Sequence, residues 1–297
     1  MKKYFLVFLI IVILAFTAII FWYNFYLTER PKNISYFLNK QLASQEAAVN
    51  SSFEYKFEAD ETIEETGKMN NSSNSYWWLN SGGLFYSKDG VGKTIQGELA
   101  QYSKWRLTYA LSSPIDTDNG YHPQNIFRLV SRNKWQNFQQ KVYFKINKIN
   151  ISESPNRNGS NGILLLNRYQ DGNNLYYVGL RVDGAAVIKK KYKGKYYTLA
   201  KKQFYTAGEP YNRDINPNLI PDKQWLGVKS EVKTNNDKSV SVKLFIDKEN
   251  NGNWTLALEA KDDNKSYGGA AISSKGYAGL RADFMDAEFD DYSIIEL

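Results

Sequence analysis

The sequence predicts an all-β fold, an antiparallel two-sheet sandwich behind a single N-terminal hydrophobic segment. Three observations carry this. Aromatic residues make up 15% of the chain, with 22 Tyr and 7 Trp, and aromatic and β-branched side chains pack well on a pleated, half-buried surface. From residue 51 onward, short apolar or alternating runs are separated by Gly, Asn and Asp, a pattern that reads as about a dozen short strands with turn signals. No long part of that region has the apolar spacing of an amphipathic helix. Strand spacing varies and no fixed motif recurs, which argues against a propeller.

The first element is the hydrophobic segment. Residues 4–22 carry no charge and follow Lys2 and Lys3. At a rise of about 1.5 Å per residue this span matches a bilayer core. The two lysines favour a cytoplasmic N-terminus. Trp22, Tyr23, Phe25 and Tyr26 resemble an interfacial aromatic belt. Residues 1–27 are therefore expected to be a signal anchor, a transmembrane helix that places the rest of the chain outside the cytoplasm. A cleaved signal peptide is the alternative, since Leu14-Ala15-Phe16-Thr17-Ala18 contains small residues, although the apolar run continues past them. Residues 28–50 are polar, contain Pro31, and read as a stalk that includes a short helix. Residues 51–297 form the sandwich domain.

Within that domain the alternation is clearest in the second half. Residues 175–182 and 185–192 read as a hairpin closed by Asp183-Gly184, a strong two-residue turn signal. Residues 225–234 and 239–247 pair through Asn235-Asn236-Asp237, and 254–260 follows the turn at Asn250-Asn251-Gly252-Asn253. Residues 277–282 and 287–296 close the chain. Earlier strands are expected at 53–57, 76–79, 105–109, 126–130 and 138–146. Trp225, Val228, Leu244, Leu256, Leu280 and Phe289 are the expected core residues.

Composition excludes several chemistries. There is no cysteine, so disulfides, thiolate nucleophiles and zinc–thiolate sites are ruled out. His122 is the one histidine, so a site with two histidine ligands is impossible. The formal charge of +7 is mild. It fits an acidic polysaccharide or a membrane surface and is no nucleic-acid footprint.

Residues 120–297 resemble concanavalin A-like (laminin G-like) jelly-roll domains, the superfamily of many lectins and glucanases. The resemblance rests on Asn125-Ile126-Phe127-Arg128-Leu129-Val130, Trp135-Gln136-Asn137-Phe138 and Asn174-Leu175-Tyr176-Tyr177-Val178-Gly179-Leu180-Arg181. Its most telling part is the ending, Gly276-Tyr277-Ala278-Gly279-Leu280-Arg281 followed by Glu288-Phe289-Asp290-Asp291-Tyr292. The resemblance implies a jelly-roll sandwich. It does not imply one activity, because the fold hosts lectins, hydrolases, lyases and adhesive modules.

Each of those activities has candidate residues. Asp286, Glu288 and Asp290 alternate, which on a strand puts neighbours roughly 6.5–7 Å apart on one face, within reach of a glycosidic bond. The pattern is similar to the Glu-x-Asp-x-Glu strand of laminarinase-like hydrolases, but here the outer positions are Asp and the motif lies on the last strand. Jelly-roll lyases use a His or Tyr base with an Arg, Asn or Gln that neutralises the substrate carboxylate. By that resemblance His122, Tyr169, Arg168, Arg181 and Gln170 are candidates, although no diagnostic lyase motif is intact. Jelly-roll modules also often hold a structural calcium through a terminal-strand carboxylate. This implies Asp290, helped by Asp283, Asp286 or Asp291, since calcium takes six to eight oxygen ligands.

The most distinctive surface candidate is basic and aromatic. Lys189, Lys190, Lys191, Lys193, Lys195, Lys201 and Lys202 interleave with Tyr192, Tyr196, Tyr197, Phe204 and Tyr205. Aromatic faces stack on sugar rings, and lysines meet carboxylates or sulfates. Lys190, Lys193, Tyr196 and Tyr197 are the expected ligand contacts. The bland counterpart is an edge hairpin guarded by lysines. The chain is thus expected to be a membrane-tethered glycan-binding module. A polysaccharide hydrolase or lyase, and a structural envelope protein, are the alternatives.

Overall fold

The computed structural model describes residues 52–206 and 208–297. The expected signal anchor (1–27) and stalk (28–50) lie outside the described residues. The strands are β1 (Ser52–Tyr55), β2 (Glu61–Glu64), β3 (Trp77–Ser81), β4 (Leu84–Lys88), β5 (Val91–Thr94), β6 (Ile126–Trp135), β7 (Phe138–Ile149), β8 (Gly162–Asp171), β9 (Asn174–Arg181), β10 (Ala185–Tyr192), β11 (Lys195–Gln203), β12 (Leu226–Thr234), β13 (Val240–Asp247), β14 (Thr255–Asp262), β15 (Gly276–Asp283) and β16 (Met285–Glu296). A nine-stranded sheet runs β14-β13-β12-β7-β16-β5-β4-β2, with β1 paired to β16. A seven-stranded sheet runs β11-β10-β9-β8-β15-β6-β3. The strand pairs are antiparallel, and the whole is consistent with a jelly-roll sandwich.

Both sheets contribute to one core. Phe127 of β6 stacks on Phe289 of β16 with ring centroids 6.0 Å apart, and Trp77 of β3 meets Tyr292 of β16 edge-on at 4.8 Å. Val228, Leu244, Leu280 and Phe289 are buried there as expected. Leu256 is not, and 48% of it is exposed. A register shift between Leu244 and Phe245 sets Leu258 opposite Leu244, and a one-residue slip exchanges the faces of a strand. Trp225 precedes β12 and lies only partly buried under the Lys145 ammonium, 5.1 Å away. The adjacent Leu226 takes the core position.

One expected strand is a helix. Residues 105–109 lie within α1 (Lys104–Ser112). The apolar residues at 105, 107 and 109 alternate, which suggested a strand. Only Trp105 and Tyr109, one helical turn apart, are buried, while Leu107 is 55% and Leu111 88% exposed. Tyr109 then fastens the helix to the sheet through a bond from Gly82 N to its hydroxyl at 2.8 Å.

The Asp183-Gly184 hairpin joins β9 and β10. Gly184 has φ +79, and a Cβ there would lie 2.3 Å from the Tyr205 carbonyl oxygen, so only glycine fits this turn. The strand parity it sets decides what lies on each face. Tyr176, Val178, Leu180, Ala186 and Ile188 point into the core. Leu175, Tyr177, Val187 and the flanking Lys189 and Lys191 take the opposite, outer face.

Candidate functional site

The outer face of the seven-stranded sheet is layered. Its floor is a second apolar cluster of Val130, Leu164, Leu166, Leu175 and Val187, with Tyr169 and Tyr177 over it. Cross-strand register carries a row from Val130 through Gly279, Leu166 and Tyr177 to Lys189. The neighbouring row places Arg128, Arg281 and Leu164 side by side.

Over this floor opens a pocket of about 420 Å³. Tyr177, Lys189, Tyr196, Arg281 and Asp283 line its sheet side, and Asp116, Asn156, Asn158, Ser160 and Asn161 line its loop side. The tyrosine rings of β9 and β11 stack with centroids 6.1 Å apart and planes 28° off parallel. The Arg281 guanidinium lies 5.0 Å from the Tyr177 ring centre, and its Nε donates to Asp283 Oδ1 at 2.8 Å. Asp283 is 3% exposed, and its Oδ2 has no partner among the described residues. The pocket thus presents a fixed guanidinium and the exposed Tyr196 ring, with a buried Asp283 oxygen left without a donor behind them.

Lys189 defines the charge of the site. It is half-buried and makes no ion pair among the described residues. Burial, then the charges of Arg181 and Arg281, lower its pKa to about 8, and Asp283 and Asp183 only partly offset this. A cation held at such cost is a ready partner for an anion. Burial pushes the Tyr196 phenol up, but the charge and hydrogen bond of Arg281 and the charge of Lys191 outweigh it, so its pKa lies below the ordinary tyrosine value.

The loop wall is built by polar side chains. Asp116 accepts from Asn156 Nδ2 at 3.0 Å, and Asp118 accepts from Ser152 Oγ at 2.6 Å. Buried Arg157 donates to the Ser152 carbonyl at 2.6 Å and to Asp214 at 2.7 Å. His122 belongs to this scaffold. Its Nδ1 lies 3.1 Å from Asp118 Oδ2, two residues along the loop from Asp116.

The basic-aromatic stretch is divided between two faces. Tyr196 faces the pocket and is 53% exposed. Tyr197 points the other way, with its ring against the Gly268 backbone, where a Cβ would come within 2.2 Å of Cζ. Lys190, opposite Tyr197 in the β10–β11 register, is fully buried, and its Nζ lies 2.8 Å from Asp262 Oδ2. Lys193 occupies the β10–β11 turn, its ammonium 5.4 Å from the Tyr192 ring centre. Of the four expected contacts, Tyr196 alone lines the pocket.

The other candidates do not converge. Arg168 is fully buried and donates to the carbonyls of Gln136 (2.8 Å) and Ile272 (2.9 Å), and burial lowers its pKa to about 10. Arg181 is paired with Asp183 at 2.7 Å. Tyr169 lies on the outer face beneath Arg128, 5.9 Å from ring centre to guanidinium. Glu288 is on β16, in the other sheet, with Lys145 at 2.6 Å and Lys93 at 3.7 Å. Burial pushes its carboxyl up, but these lysines hold it below the usual range.

The carboxylates named for calcium are also apart. Asp283 faces Arg281. Asp286 accepts from Gln124 Nε2 (2.8 Å), Asn150 Nδ2 (2.9 Å) and Gly97 N (2.7 Å). Donors therefore surround Asp286 where a cation would need oxygens. Asp290 accepts from the Asp291 amide at 2.7 Å, and burial raises its pKa. No group of three or more acidic or histidine side chains converges among the described residues, so this donor set does not fit a calcium ion.

Sequence reasoning named Lys189 within the stretch and Asp283 only as a helper in a calcium site, and did not single out Tyr177, Arg281 or Asp116. Alternation alone places Tyr177 and Arg281 on outward faces of their strands. That β9 and β15 both flank β8 is a tertiary fact.

No family model and no curated protein matches this sequence. Among solved structures, the carbohydrate binding module CBM66 from Bacillus subtilis matches with 16% identity over 58% of this chain and 83% of that one, at a TM-score of 0.40. The GH43 BlXynB protein from Bacillus licheniformis matches with 12% identity over 82% of this chain, at 0.44, and this chain spans 39% of it. The exoplasmic/lumenal domain of VIP36 in its Ca2+/Man-bound form matches with 7% identity over 80% of this chain and 89% of that one, at 0.43. At such identities the site has to be read from this chain's own residues.

Proposed function

We propose that this chain is a glycan-binding module which holds an acidic sugar in the pocket on the outer face of its seven-stranded sheet. One observation carries the reading: Lys189 stands half-buried and without an acidic partner beside Arg281 and the stacked Tyr177–Tyr196 pair. Each part has a matching task. Tyr196, 53% exposed and backed by the buried Tyr177 ring, offers an apolar face for a sugar ring with a hydroxyl at its rim. The loop asparagines, Asn156 and Asn158, meet sugar hydroxyls. Lys189 and Arg281 meet a carboxylate or sulfate.

Tethering belongs to the same proposal. The charge-free run at 4–22 behind Lys2 and Lys3 supports a single-pass anchor with its N-terminus cytoplasmic and the sandwich on the extracytoplasmic side. Protease shaving of intact cells tests this, and survival of the full-length chain against a permeabilised control overturns it.

A glycan array probed with the full chain in detergent tests the binding. Acidic glycans are expected to be retained over neutral ones. Salt should weaken binding without abolishing it, because exposed charges are screened within about 10 Å at 0.1 M while stacking is not. Tyr196→Ala should remove most of the salt-resistant part and Lys189→Gln most of the salt-sensitive part. Retention of no glycan, or binding indifferent to both changes, overturns the reading.

A second reading, a polysaccharide lyase, is favoured by the lowered pKa of Tyr196 beside Arg281. A phenol poised as a base next to a guanidinium suits proton removal beside a carboxylate. Tyr196→Phe separates the two readings. A binding module keeps most of its affinity and releases no product, whereas a lyase loses the unsaturated ends it forms.

A further inference from the structure

Arg128 and Arg281 are direct cross-strand partners on the outer face of the seven-stranded sheet. Like charges in that relation are destabilising. Arg281 is compensated by Asp283. Arg128 makes no ion pair among the described residues, and its guanidinium lies over the Tyr169 ring. Lys134 repeats the arrangement over Tyr277, 5.1 Å from the ring centre, and Tyr277 is the cross-strand partner of both Lys134 and Tyr169. The face therefore carries a second set of uncompensated cations on tyrosine faces.

The layout of these groups bears on ligand size. From β10, which carries Lys189, to β6, which carries Arg128, the sheet order passes through β9, β8 and β15. At about 4.8 Å per strand this is roughly 19 Å across the sheet. One sugar ring cannot reach both ends. The apolar residues Leu164, Leu166 and Val130 run beneath the interval, and the carboxylate within it, Asp283, is already paired with Arg281.

We propose that the ligand is an anionic glycan chain lying across the strands, with Arg128 and Tyr169 forming a second subsite that binds an acidic group beyond the one met by Lys189 and Arg281. This rests on the glycan reading above and adds to it the length and direction of the ligand. The chain crosses from β10 toward β6, and Lys134 and Tyr277 flank its far end. Binding releases the repulsion between Arg128 and Arg281, so an acidic group that reaches Arg128 strengthens the complex.

The test uses the full chain in detergent and four acidic polymers: polygalacturonate, alginate, hyaluronan and heparin. Each is titrated beside its own mono- or disaccharide unit. At least one polymer is expected to bind at least tenfold tighter than its unit. Arg128→Gln should lower polymer affinity about tenfold, with unit affinity and melting temperature unchanged. Arg128→Lys should restore part of the loss. Lys189→Gln should weaken polymer and unit alike, and Lys229→Gln, on the other sheet, should change neither. Equal affinity for unit and polymer, or a polymer affinity indifferent to Arg128→Gln, overturns the second subsite and leaves the pocket standing. Binding of none of the four polymers or their units overturns the pocket as an acidic-glycan site, and the subsite with it.

Discussion

Lys190 and Asp262 form a fully buried ion pair, Nζ to Oδ2 at 2.8 Å, at the edge of the core between the two sheets. The Tyr176 hydroxyl donates to the same Asp262 oxygen at 2.7 Å and accepts from Ile272 N at 3.0 Å. Lys190 also donates to the carbonyls of Gly269 and Ala270, both at 3.1 Å. The group thereby fastens the connection between β14 and β15 to the middle of β9 and β10.

Lys190→Met should therefore destabilise the fold by about 3–5 kcal/mol, because it leaves Asp262 charged and unpaired in the core. Adding Asp262→Leu should recover most of the loss, less the cost of a Tyr176 hydroxyl without its acceptor. Urea denaturation of both variants checks this. A single substitution as stable as the parent would contradict the buried pair.

Tyr196 and Tyr197, adjacent in sequence, should behave in opposite ways. Tyr196→Ala is expected to weaken glycan retention and leave the melting temperature nearly unchanged. Tyr197→Ala should lower the melting temperature by removing the ring packed on Gly268. Affinity and thermal melts on the same two preparations decide the matter. An exchange of the two effects would mean that the β10–β11 register differs from the one described.

Glycan affinity should fall as pH rises through about 8, where Lys189 loses its charge. Between about 8 and the ordinary lysine value of 10.5 the unfolded chain binds more protons at this residue than the folded one. The contribution of Lys189 to stability is thus unfavourable below that window and improves as pH rises through it. Lys189→Arg, which stays charged, should flatten the affinity profile. Titrations from pH 6 to about 9.5 test this, and an affinity constant across that range with wild-type Lys189 counts against the assignment.

A chelator should leave the melting temperature unchanged, since the carboxylates of Asp283, Asp286, Asp290 and Asp291 are held apart or filled by N–H donors. A drop that calcium reverses would show that the terminal strand binds a cation after all.

Leu256→Ser should change stability by no more than about 0.5 kcal/mol. Leu258→Ala, two residues on and 9% exposed, should cost about 2 kcal/mol or more. Comparable costs at both positions would place the register shift of β13 and β14 elsewhere.

The sequence by itself determined the class of this domain and most of its strands. Period-two alternation and turn chemistry are local properties, so the Asp183-Gly184 hairpin, the β12–β13 pair and the burial of Leu280 and Phe289 were all legible. The same local reading failed where two periods look alike, as in α1, and where a bulge shifts parity, as at Leu256. Only the tertiary structure decided the site. Asp116, Lys189, Tyr196, Arg281 and Asp283 come from four separate segments, and what unites them is the order in which strands pair. Single-strand alternation does not encode which strands become neighbours. It also could not show what awaits Lys190 on the inward face it shares with Ala186 and Ile188, because the carboxylate that pairs with it, Asp262, lies 72 residues away.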